Sequence, residues 1–512
     1  MILFVEPVSK YIDMYVPAFP LPILEIASFI KCRQPEVELE VISLPVDYGL
    51  PLSQEGKETV YSLFLRDLVS LKPKGIGISC TAIAQAEGVI ELCERIKAHD
   101  PDIFLFLGGY FPTIYHEEIL KKTNAVDLIV AGEGEESALR IVECLEQGLD
   151  PRAMDIPGLV WRGQGKTVFT EKGSRFDLRK KELLNLALLR YPRAYDILPY
   201  SFSRGCPYHC IFCMEEFLRP IRKMVPEDIV KNDLTRLVEE SEVRTVVVSD
   251  ALFMSFDLFP FFKSLGLKVN FETRCDIMDP AVIPKIGDTC GMLALGFESA
   301  SYGTLKRMNK VRDRAHYKKY LANTANIFRE AVKQGIPVMV FMIAGFPGDT
   351  LEDLEESLTF AKALSKNSGS GGHVFKIGEC HVYPETRIHT LATSLPDVVF
   401  DDDGVFGQNI VRKPSKDLGF QTVLDYSKRI YELSNMTSKF EANMSEMMPF
   451  FRVPAVALKD EMVPDRCFAD PTRNVIDARK ASLAAFRALT PGLKKKYQQW
   501  LTKERSLRSL QL

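Results

Sequence analysis

Three cysteines lie within eight residues, in the segment Ser203-Arg-Gly-Cys206-Pro-Tyr-His-Cys210-Ile-Phe-Cys213. Thiolates at this spacing can each bind one iron of a [4Fe-4S] cubane and leave the fourth iron open to another ligand. Two other interpretations are a structural zinc site that takes His209 as its fourth ligand and a redox pair of Cys210 and Cys213. Zinc sites of this kind usually bring a second pair of cysteines or histidines, and no such pair is close in the sequence. The spacing therefore favours the iron-sulfur cluster.

The bulk properties indicate a large intracellular protein. The chain has 512 residues, enough for two to four domains, and its 65 basic and 68 acidic residues give a formal net charge of −3. No long block of one sign occurs, so charge gives no reason to expect a nucleic acid or an anionic membrane as partner. The 11 scattered cysteines favour a reducing compartment. No apolar run approaches the roughly 18 residues of a spanning helix, and Met1–Pro7 resembles a strand more than a signal peptide. We expect a cytoplasmic protein without a membrane span.

Residues 1–150 alternate short β-rich runs with amphipathic helical stretches, which predicts a doubly wound parallel α/β domain. The five predicted strands are 2–6, 39–44, 75–79, 103–107 and 128–130. Ligands of such domains bind beyond the carboxyl ends of the strands. Small or polar residues follow three of those ends, in Ser79-Cys80-Thr81, Gly108-Gly109 and Gly132-Glu133-Gly134-Glu135. These glycines either make tight turns only or let a bulky ligand approach the backbone.

Taken in order, four segments resemble the amino-terminal domain of the cobalamin-dependent radical S-adenosylmethionine (SAM) enzymes. They are Phe19-Pro-Leu-Pro-Ile-Leu-Glu-Ile-Ala, Gly77-Ile-Ser, Leu107-Gly-Gly-Tyr-Phe-Pro-Thr and Val126-Asp-Leu-Ile-Val-Ala-Gly-Glu-Gly-Glu. The resemblance implies a cobalamin-binding domain over residues 1–150. The residues it implies as cobalamin-binding are Ser79, Thr81, Gly108, Gly109, Tyr115, Gly132, Glu133 and Gly134.

The first histidine of the chain is His99, so no D-x-H-x-x-G sequence can follow the first strand. A histidine from that loop therefore cannot bind the lower face of cobalt. We expect cobalt to be five-coordinate, to bind water on its lower face, or to be approached there by Tyr110, Tyr115 or His116. Among these we select Tyr115 as the candidate, although burial in a core is the commoner environment of a tyrosine.

Residues 151–195 contain several prolines and glycines and a possible hairpin of 159–162 with 166–169, so they are predicted to form a linker. From residue 196 to 400 the β/α alternation resumes and fits an incomplete (β/α)6 barrel. Its predicted strands are 198–202, 245–249, 268–273, 292–297, 338–344 and 375–383. Functional residues of such barrels lie at the carboxyl ends of the strands.

The barrel segment resembles the radical SAM superfamily in three places. The cysteine spacing with Phe212 before the last cysteine matches its signature, while Leu295-Gly-Phe-Glu298-Ser and Gly345-Phe-Pro-Gly-Asp349-Thr resemble its G-I-E-S and G-F-P-G-E-T segments. The resemblance implies that Cys206, Cys210 and Cys213 bind a [4Fe-4S] cluster. The residues implied to contact SAM are Phe212, Asp250, Arg274, Glu298, Ser299 and Gly345. Asp349 stands where glutamate is usual, which weakens any role for that side chain.

The combination implies a C-methyltransferase. In the family, a 5'-deoxyadenosyl radical removes hydrogen from an unactivated sp3 carbon, which then takes methyl from methylcobalamin. The substrate would be a peptide or protein residue or a natural product, and a ferredoxin or flavodoxin would donate electrons. Relatives with the same domains perform cyclisation or rearrangement without methyl transfer, and a non-enzymatic corrinoid-binding sensor is a third interpretation. Residues 401–512 are predicted to be mainly helical and to face the substrate.

Overall fold

The computed structural model describes residues 1–8, 19–48, 54–192, 195, 197–241, 243–366, 369–407 and 409–437. These residues form two large sheets, each covered by helices. The fold class predicted from the sequence, a doubly wound domain followed by a partial barrel, is confirmed. The predicted helical stretch 478–506 and the second half of the helix predicted over 424–447 lie outside the described residues.

The first sheet has seven strands in the order β2-β1-β3-β4-β5-β6-β7. The strands are β1 Ile2–Glu6, β2 Leu39–Ser43, β3 Gly75–Ser79, β4 Phe104–Gly108, β5 Leu128–Val130, β6 Leu159–Gly163 and β7 Lys166–Phe169. The first five run parallel, and their nearly continuous apolar sequences are buried on both faces, as parallel strands require. Their helices are α1 Leu21–Arg33, α2 Leu44–Asp47, α3 Gln54–Leu71, α4 Ile83–His99, α5 Tyr110–Ile114, α6 His116–Lys122 and α7 Glu135–Glu146.

The hairpin predicted within the linker is present as β6 and β7. Strand β6 pairs antiparallel with β5, so the hairpin extends the first sheet instead of lying apart from it. The linker boundaries at 151 and 195 stay predictions. After the hairpin the chain runs between the two sheets, with 3-10 turns at Leu178–Lys180 and Leu186–Leu188.

The second sheet has six parallel strands in the order β15-β14-β13-β12-β11-β8, the incomplete barrel. The strands are β8 Ile197–Tyr200, β11 Thr245–Val248, β12 Lys268–Arg274, β13 Cys290–Glu298, β14 Val338–Ala344 and β15 His373–Glu379, with the short pair β9 Ser203–Arg204 and β10 Lys223–Met224 beside them. The helices are α8 Met214–Leu218, α9 Glu227–Glu240, α10 Phe259–Ser264, α11 Ile283–Ile286, α12 Tyr302–Arg307, α13 Arg314–Lys333, α14 Leu351–Ser365 and α15 Arg387–Ser394. Strands β16 Val399–Phe400 and β17 Val411–Lys413 form a small antiparallel sheet, and helix α16 Phe420–Tyr431 follows.

One hydrophobic core joins one face of the first sheet to the barrel, while a second core fills the opposite face of the first sheet. At the junction, Phe19 stacks on Tyr195 with ring centroids 4.6 Å apart, and the Phe19 amide donates to the carbonyl of Ile197 at 3.2 Å. Aromatic stacking of this kind stabilises the junction. The carboxyl ends of β4 and β5 lie beside the segment that carries the cysteines, because Tyr110 after β4 donates to Glu215 and Glu133 after β5 lies 3.9 Å from Arg219.

None of the helices that the structure describes is both long and apolar enough to cross a membrane.

Candidate functional site

The three cysteines lie in the loop between β9 and α8. Gly205 precedes the first of them with φ of +93°, and a Cβ there would lie 2.4 Å from the carbonyl oxygen of Ile221, so only glycine fits. The Cys206 amide donates to the carbonyl of Arg219 at 3.0 Å, and the Cys213 amide donates to that of Cys210 at 3.0 Å. The backbone thus holds both ends of the loop in place.

A guanidinium lies against the middle cysteine. Arg274, at the end of β12, donates from Nη1 to Cys210 Sγ at 3.1 Å, and its guanidinium lies 4.0 Å from the ring centroid of Tyr208. Asp276 orients it through two hydrogen bonds of 2.9 Å. Hydrogen bonds to the cysteine sulfurs are one way in which a protein tunes an iron-sulfur cluster. Arg274, which the sequence predicts as a site residue, therefore contacts the cysteine loop directly from the end of β12.

The donor chemistry fits an iron-sulfur cluster. Burial raises the pKa of the Cys206 thiol and raises that of Cys213 to about 12, so bound iron would have to drive their deprotonation. Within the described residues no three histidine, cysteine or carboxylate side chains converge on one metal-ion position. Thiolates of a cubane bind different irons and need no such convergence.

Asp250 follows β11 and contacts the start of the cysteine loop. Its carboxylate accepts the Phe202 amide at 2.7 Å and the Ser203 hydroxyl at 2.5 Å. Burial raises its pKa to about 7, while Arg222 at 3.9 Å opposes that shift. These contacts make Asp250 a support of the loop in this structure, and its predicted contact with SAM stays a prediction.

Glu298 ends β13 with φ of +70°, an uncommon conformation for a residue other than glycine. Its carboxylate accepts a hydrogen bond from Lys310 Nζ at 2.6 Å, and the same ammonium donates to the carbonyl of Gly296 at 2.5 Å. Glu272 on the neighbouring strand approaches this pair, and burial together with the Glu298 charge raises the Glu272 pKa to about 7. Two carboxylates and one ammonium therefore share the barrel interior, an arrangement suited to a polar, charged cofactor.

The other predicted SAM contacts have different surroundings. The Ser299 hydroxyl lies 3.1 Å from that of Ser357 and is buried. Gly345 has φ of +74°, and a side chain there would lie 3.1 Å from Val423 of α16. Phe212 is half-buried against the main core. The role of these three residues in binding SAM stays a prediction.

Asp349, which lies in the segment compared above with G-F-P-G-E-T, stabilises its own loop. It accepts the Phe346 amide at 2.9 Å, the Thr304 hydroxyl at 2.6 Å and a guanidinium N–H of Arg307 at 2.7 Å. Burial raises its pKa to about 6. The shorter side chain serves the turn after β14.

The predicted cobalamin-binding glycines divide into two kinds. A Cβ at Gly108 or Gly132 would meet nothing within 4 Å, so both positions leave room for a flat ligand at the carboxyl edge of the first sheet. A Cβ at Gly109 would lie 2.4 Å from the Cys80 carbonyl oxygen, and one at Gly134 would lie 3.3 Å from Ile26. The first pair has room for a ligand and Gly109 is required for the close contact with the Cys80 backbone, while the role of all four glycines in binding cobalamin stays a prediction.

Three predicted residues near this edge have contacts of their own. Ser79 is half-buried at the end of β3, and exposed Thr81 donates from its amide to Gln85 Oε1 at 2.9 Å. Tyr115 is buried, and its hydroxyl donates to the carbonyl of Pro384 in the barrel segment at 3.0 Å. The Tyr115 hydroxyl is thus engaged with protein, while its role below cobalt stays a prediction.

Glu133 faces the barrel. Its carboxylate accepts the Phe176 amide at 2.6 Å and lies 3.5 Å from Arg175 and 3.9 Å from Arg219. Tyr110, the other candidate of the neighbouring loop, donates its hydroxyl to Glu215, two residues after the third cysteine. The two loops predicted to hold cobalamin therefore contact the residues that flank the cluster loop.

Buried ion pairs tie the same domains together behind this edge. Arg204 of β9 binds Glu25 of α1 at 2.9 Å and Glu135 of α7 at 2.6 Å. Lys181 lies 3.2 Å from Asp233 of α9. Sequence reasoning missed these residues, together with Lys310, Glu272, Glu215 and Arg219, because isolated charges in a sequence carry no signal of burial. Glu25 and Glu135 do occur within the segments quoted for the resemblance.

The Thr113 hydroxyl links the two predicted cobalamin loops. It donates to the Gly109 carbonyl at 2.7 Å and accepts the Gly132 amide at 3.0 Å. Thr113 ends the quoted Leu107 to Thr113 segment, so the pattern contained it without showing its role.

Two protein families match the chain. The profile of the B12 binding domain matches residues 47–142, and the profile of the radical SAM superfamily matches residues 200–361. The first domain implies cobalamin, and the second implies a [4Fe-4S] cluster and SAM. The three cysteines, Asp250, Arg274 and Glu298 all lie within the second match.

Characterised and uncharacterised relatives share part of the chain. It is 26% identical over 319 residues to the anaerobic magnesium-protoporphyrin IX monomethyl ester cyclase of Rubrivivax gelatinosus, covering 58% of this chain and 55% of that protein. It is 24% identical to an uncharacterised methyltransferase of Pyrococcus horikoshii (60% and 68% covered) and 28% identical to the hopanoid C-3 methylase of Methylococcus capsulatus (51% and 51%). The chain spans about half to two thirds of the length of these relatives.

Among solved structures, the radical SAM methyltransferase TsrM of Kitasatospora setae, with tryptophan and a SAM analogue bound, matches with a TM-score of 0.62. The identity is 13%, and the match covers 84% of this chain and 88% of TsrM. A second TsrM structure, with cobalamin and a [4Fe-4S] cluster bound, matches with a TM-score of 0.61. These likenesses concern the fold. The two family matches show that the chain combines a B12-binding domain with a domain of the radical SAM superfamily.

Proposed function

We propose that this chain is a cobalamin-dependent radical SAM C-methyltransferase. When bound, the cluster and SAM supply a radical that removes hydrogen from an unactivated sp3 carbon, and cobalamin carries the methyl group to that carbon. The substrate class is a peptide or protein residue or a natural product, and electrons come from a ferredoxin or flavodoxin type of donor. We also propose that the enzyme acts in the cytoplasm without a nucleic-acid substrate.

One observation carries the proposal. The loops after β4 and β5, which hold the open glycines Gly108 and Gly132, contact the residues that flank the cysteine loop through Tyr110 and Glu133. A radical generator and a methyl carrier are useful together only when one substrate carbon can reach both. This shared edge brings the two predicted cofactor sites together, which supports a single active site between them.

The chain's own residues have separable tasks in this proposal. Cys206, Cys210 and Cys213 bind three irons, and Arg274 donates a hydrogen bond to Cys210 Sγ. The Glu298–Lys310 pair presents charge and hydrogen-bonding groups for the polar end of SAM. The aromatic and aliphatic core around the junction excludes water from the region in which a radical must survive.

The proposal can be tested without knowing the substrate. Full-length protein is reconstituted anaerobically with iron, sulfide and cobalamin, then given SAM and a chemical reductant. We expect 5'-deoxyadenosine from reductive cleavage and S-adenosylhomocysteine whose formation depends on added cobalamin. Absence of 5'-deoxyadenosine at full cluster occupancy would contradict the radical chemistry.

A second candidate function is cyclisation or rearrangement without methyl transfer. The observation that favours it is the 26% identity to the Rubrivivax gelatinosus cyclase. It predicts 5'-deoxyadenosine but no cobalamin-dependent S-adenosylhomocysteine. Once a substrate is available, a gain of about 14 mass units in the product supports methylation, whereas a loss of hydrogen supports cyclisation.

A further inference from the structure

Tyr110 is held rigidly at the carboxyl edge of the first sheet. It follows Gly109, whose φ is +110° and whose missing Cβ allows contact with the Cys80 carbonyl. The Phe111 amide donates to that same carbonyl at 3.2 Å. The direction in which Tyr110 leaves the edge is therefore set by the ends of β3 and β4.

The Tyr110 side chain extends to the cluster segment. Its hydroxyl donates to Glu215 Oε1, and the Arg219 guanidinium lies 4.5 Å from the centroid of its ring. Arg219 Nη2 in turn donates to Glu215 Oε1 at 3.0 Å. We call these three residues, Tyr110, Glu215 and Arg219, the bridge.

The bridge touches both ends of the cysteine loop. Glu215 lies on α8, two residues after Cys213, and the Arg219 carbonyl accepts the amide of Cys206 at 3.0 Å. Arg219 also lies 3.9 Å from Glu133 of the second glycine loop. A displacement of either loop of the first sheet is thus transmitted to the backbone around the cysteines.

Some polar atoms of this region lack a hydrogen bond in the described residues. Glu215 Oε2 and Arg175 Nε are buried without a hydrogen-bond partner there, and Glu133 Oε1 has only ion-pair contacts of 3.5 and 3.9 Å. Buried unpaired polar atoms are costly and usually mark the place of a water or ligand. The bridge therefore lies beside groups that a bound cofactor would reorganise.

We propose that the bridge couples the two cofactor sites, so that Tyr110, Glu215 and Arg219 are positioning residues. Cobalamin bound at Gly108 and Gly132 contacts the loop that carries Tyr110, and the bridge transmits a shift of that loop to the cysteine loop. Coupling between two binding sites is reciprocal. The assembled cluster must therefore tighten cobalamin binding by the same factor by which bound cobalamin favours the assembled cluster. The proposal depends on the proposed function only for the identity of the two cofactors.

The test measures cobalamin affinity in cluster-free and cluster-reconstituted full-length protein, by equilibrium dialysis with hydroxocobalamin. In the wild type we expect the cluster to tighten binding about tenfold, within the usual range of coupling between sites. In Tyr110→Phe, which keeps the ring but removes the hydroxyl, the ratio of the cobalamin affinities with and without the cluster should fall below about twofold. Glu215→Gln keeps an acceptor but loses the charge, so its ratio should be intermediate.

The chain contains a matched control between helices α14 and α16, outside the bridge. The Tyr426 hydroxyl donates to Glu355, and the Arg429 guanidinium lies 4.5 Å from the Tyr426 ring centroid. Tyr426→Phe removes the same kind of hydrogen bond and should leave the affinity ratio at its wild-type value. A second readout is the electron paramagnetic resonance (EPR) spectrum of the reduced cluster, which cobalamin should change in the wild type but not in Tyr110→Phe.

Several results would overturn the coupling. They are a wild-type ratio of one, an unchanged ratio in Tyr110→Phe, or an equal loss in Tyr426→Phe. If Tyr110→Phe does not fold, Arg219→Gln removes the ring contact and both carboxylate contacts and must lower the ratio. Failure of the proposed function is distinguishable, because it appears as missing SAM cleavage and not as a change in this ratio.

Discussion

Two adjacent lysines of the connecting segment allow a sharp test of how the domains are held. Lys181 has a side chain only 3% exposed, and its Nζ lies 3.2 Å from Asp233 and 3.7 Å from Glu25, whose side chains are 0% and 7% exposed. Lys180 is 54% exposed and pairs at 2.9 Å with Glu136, which is 51% exposed. The two lysines are adjacent in the sequence and each pairs with a carboxylate, but only Lys181 is buried.

Lys181→Met should lower the free energy of unfolding by about 3 kcal/mol, because buried Asp233 loses its nearest cation and keeps, among the described residues, only Arg236 at 3.7 Å. Lys180→Met should change it by less than about 1 kcal/mol, since an exposed pair is screened by water. Urea unfolding of the cofactor-free full-length protein, followed by circular dichroism, measures both values.

A third variant separates charge from packing. Asp233 also accepts the Leu184 amide at 3.0 Å, and asparagine can keep that hydrogen bond. Lys181→Met with Asp233→Asn should therefore recover part of the loss. Equal losses for the two single lysine variants, or no loss in Lys181→Met, would refute the assignment of a buried ion pair between the domains.

Three further predictions concern the cofactor sites. Asp250→Asn should become more stable relative to wild type between pH 5 and pH 8 in urea unfolding. Burial raises the pKa of Asp250 to about 7 in the folded protein, whereas the pKa of an aspartate in the unfolded chain is roughly 4. The stabilisation that protonated Asp250 contributes is full below about pH 4 and is lost as the pH rises through 7. A constant difference in unfolding free energy between Asp250→Asn and wild type would contradict this. Gly108→Val should weaken cobalamin binding at least about tenfold, because the valine side chain would occupy space that the ligand needs. It should leave the stability of the fold unchanged, because a Cβ at this position would meet no protein atom within 4 Å. Gly109→Ala should instead destabilise the fold. If dialysis showed unchanged cobalamin affinity in Gly108→Val and urea unfolding showed lower stability only in that variant, the ligand would have to lie elsewhere. Replacing the three cluster cysteines by alanine should abolish iron-sulfur absorbance and SAM cleavage but keep cobalamin binding, and loss of both would show that the domains fold interdependently.

Much of the fold could be predicted because its strands are short, apolar and separated by helix-length segments. Strands β1, β3, β5 and β14 have the predicted bounds, and most other edges differ by one or two residues. The hairpin was predicted as a pair, yet its partner strand was not, since sheet membership of an antiparallel edge depends on contacts distant in sequence. Such contacts leave no periodic signal.

The site was predictable where chemistry requires a dense local motif. The cysteine spacing identified the cluster loop, and the radical SAM match covers it. The supporting charges were not predictable: the contact of Arg274 with SAM stays a prediction, while its hydrogen bond to Cys210 and the pairing of Lys310 with Glu298 were not foreseen. Burial and pairing decide what such side chains do, and both arise only when distant strands meet.

The most direct test of the open iron uses EPR-based spectroscopy of the reduced cluster. Anaerobic protein is mixed with SAM that carries 15N in its amino group, and electron-nuclear double resonance reads the coupling to that nitrogen. We predict a cluster bound by three cysteines whose spectrum changes on addition of SAM and shows 15N coupling. A fully occupied cluster with no response to SAM, or zinc bound at the three cysteines, would contradict the proposed chemistry.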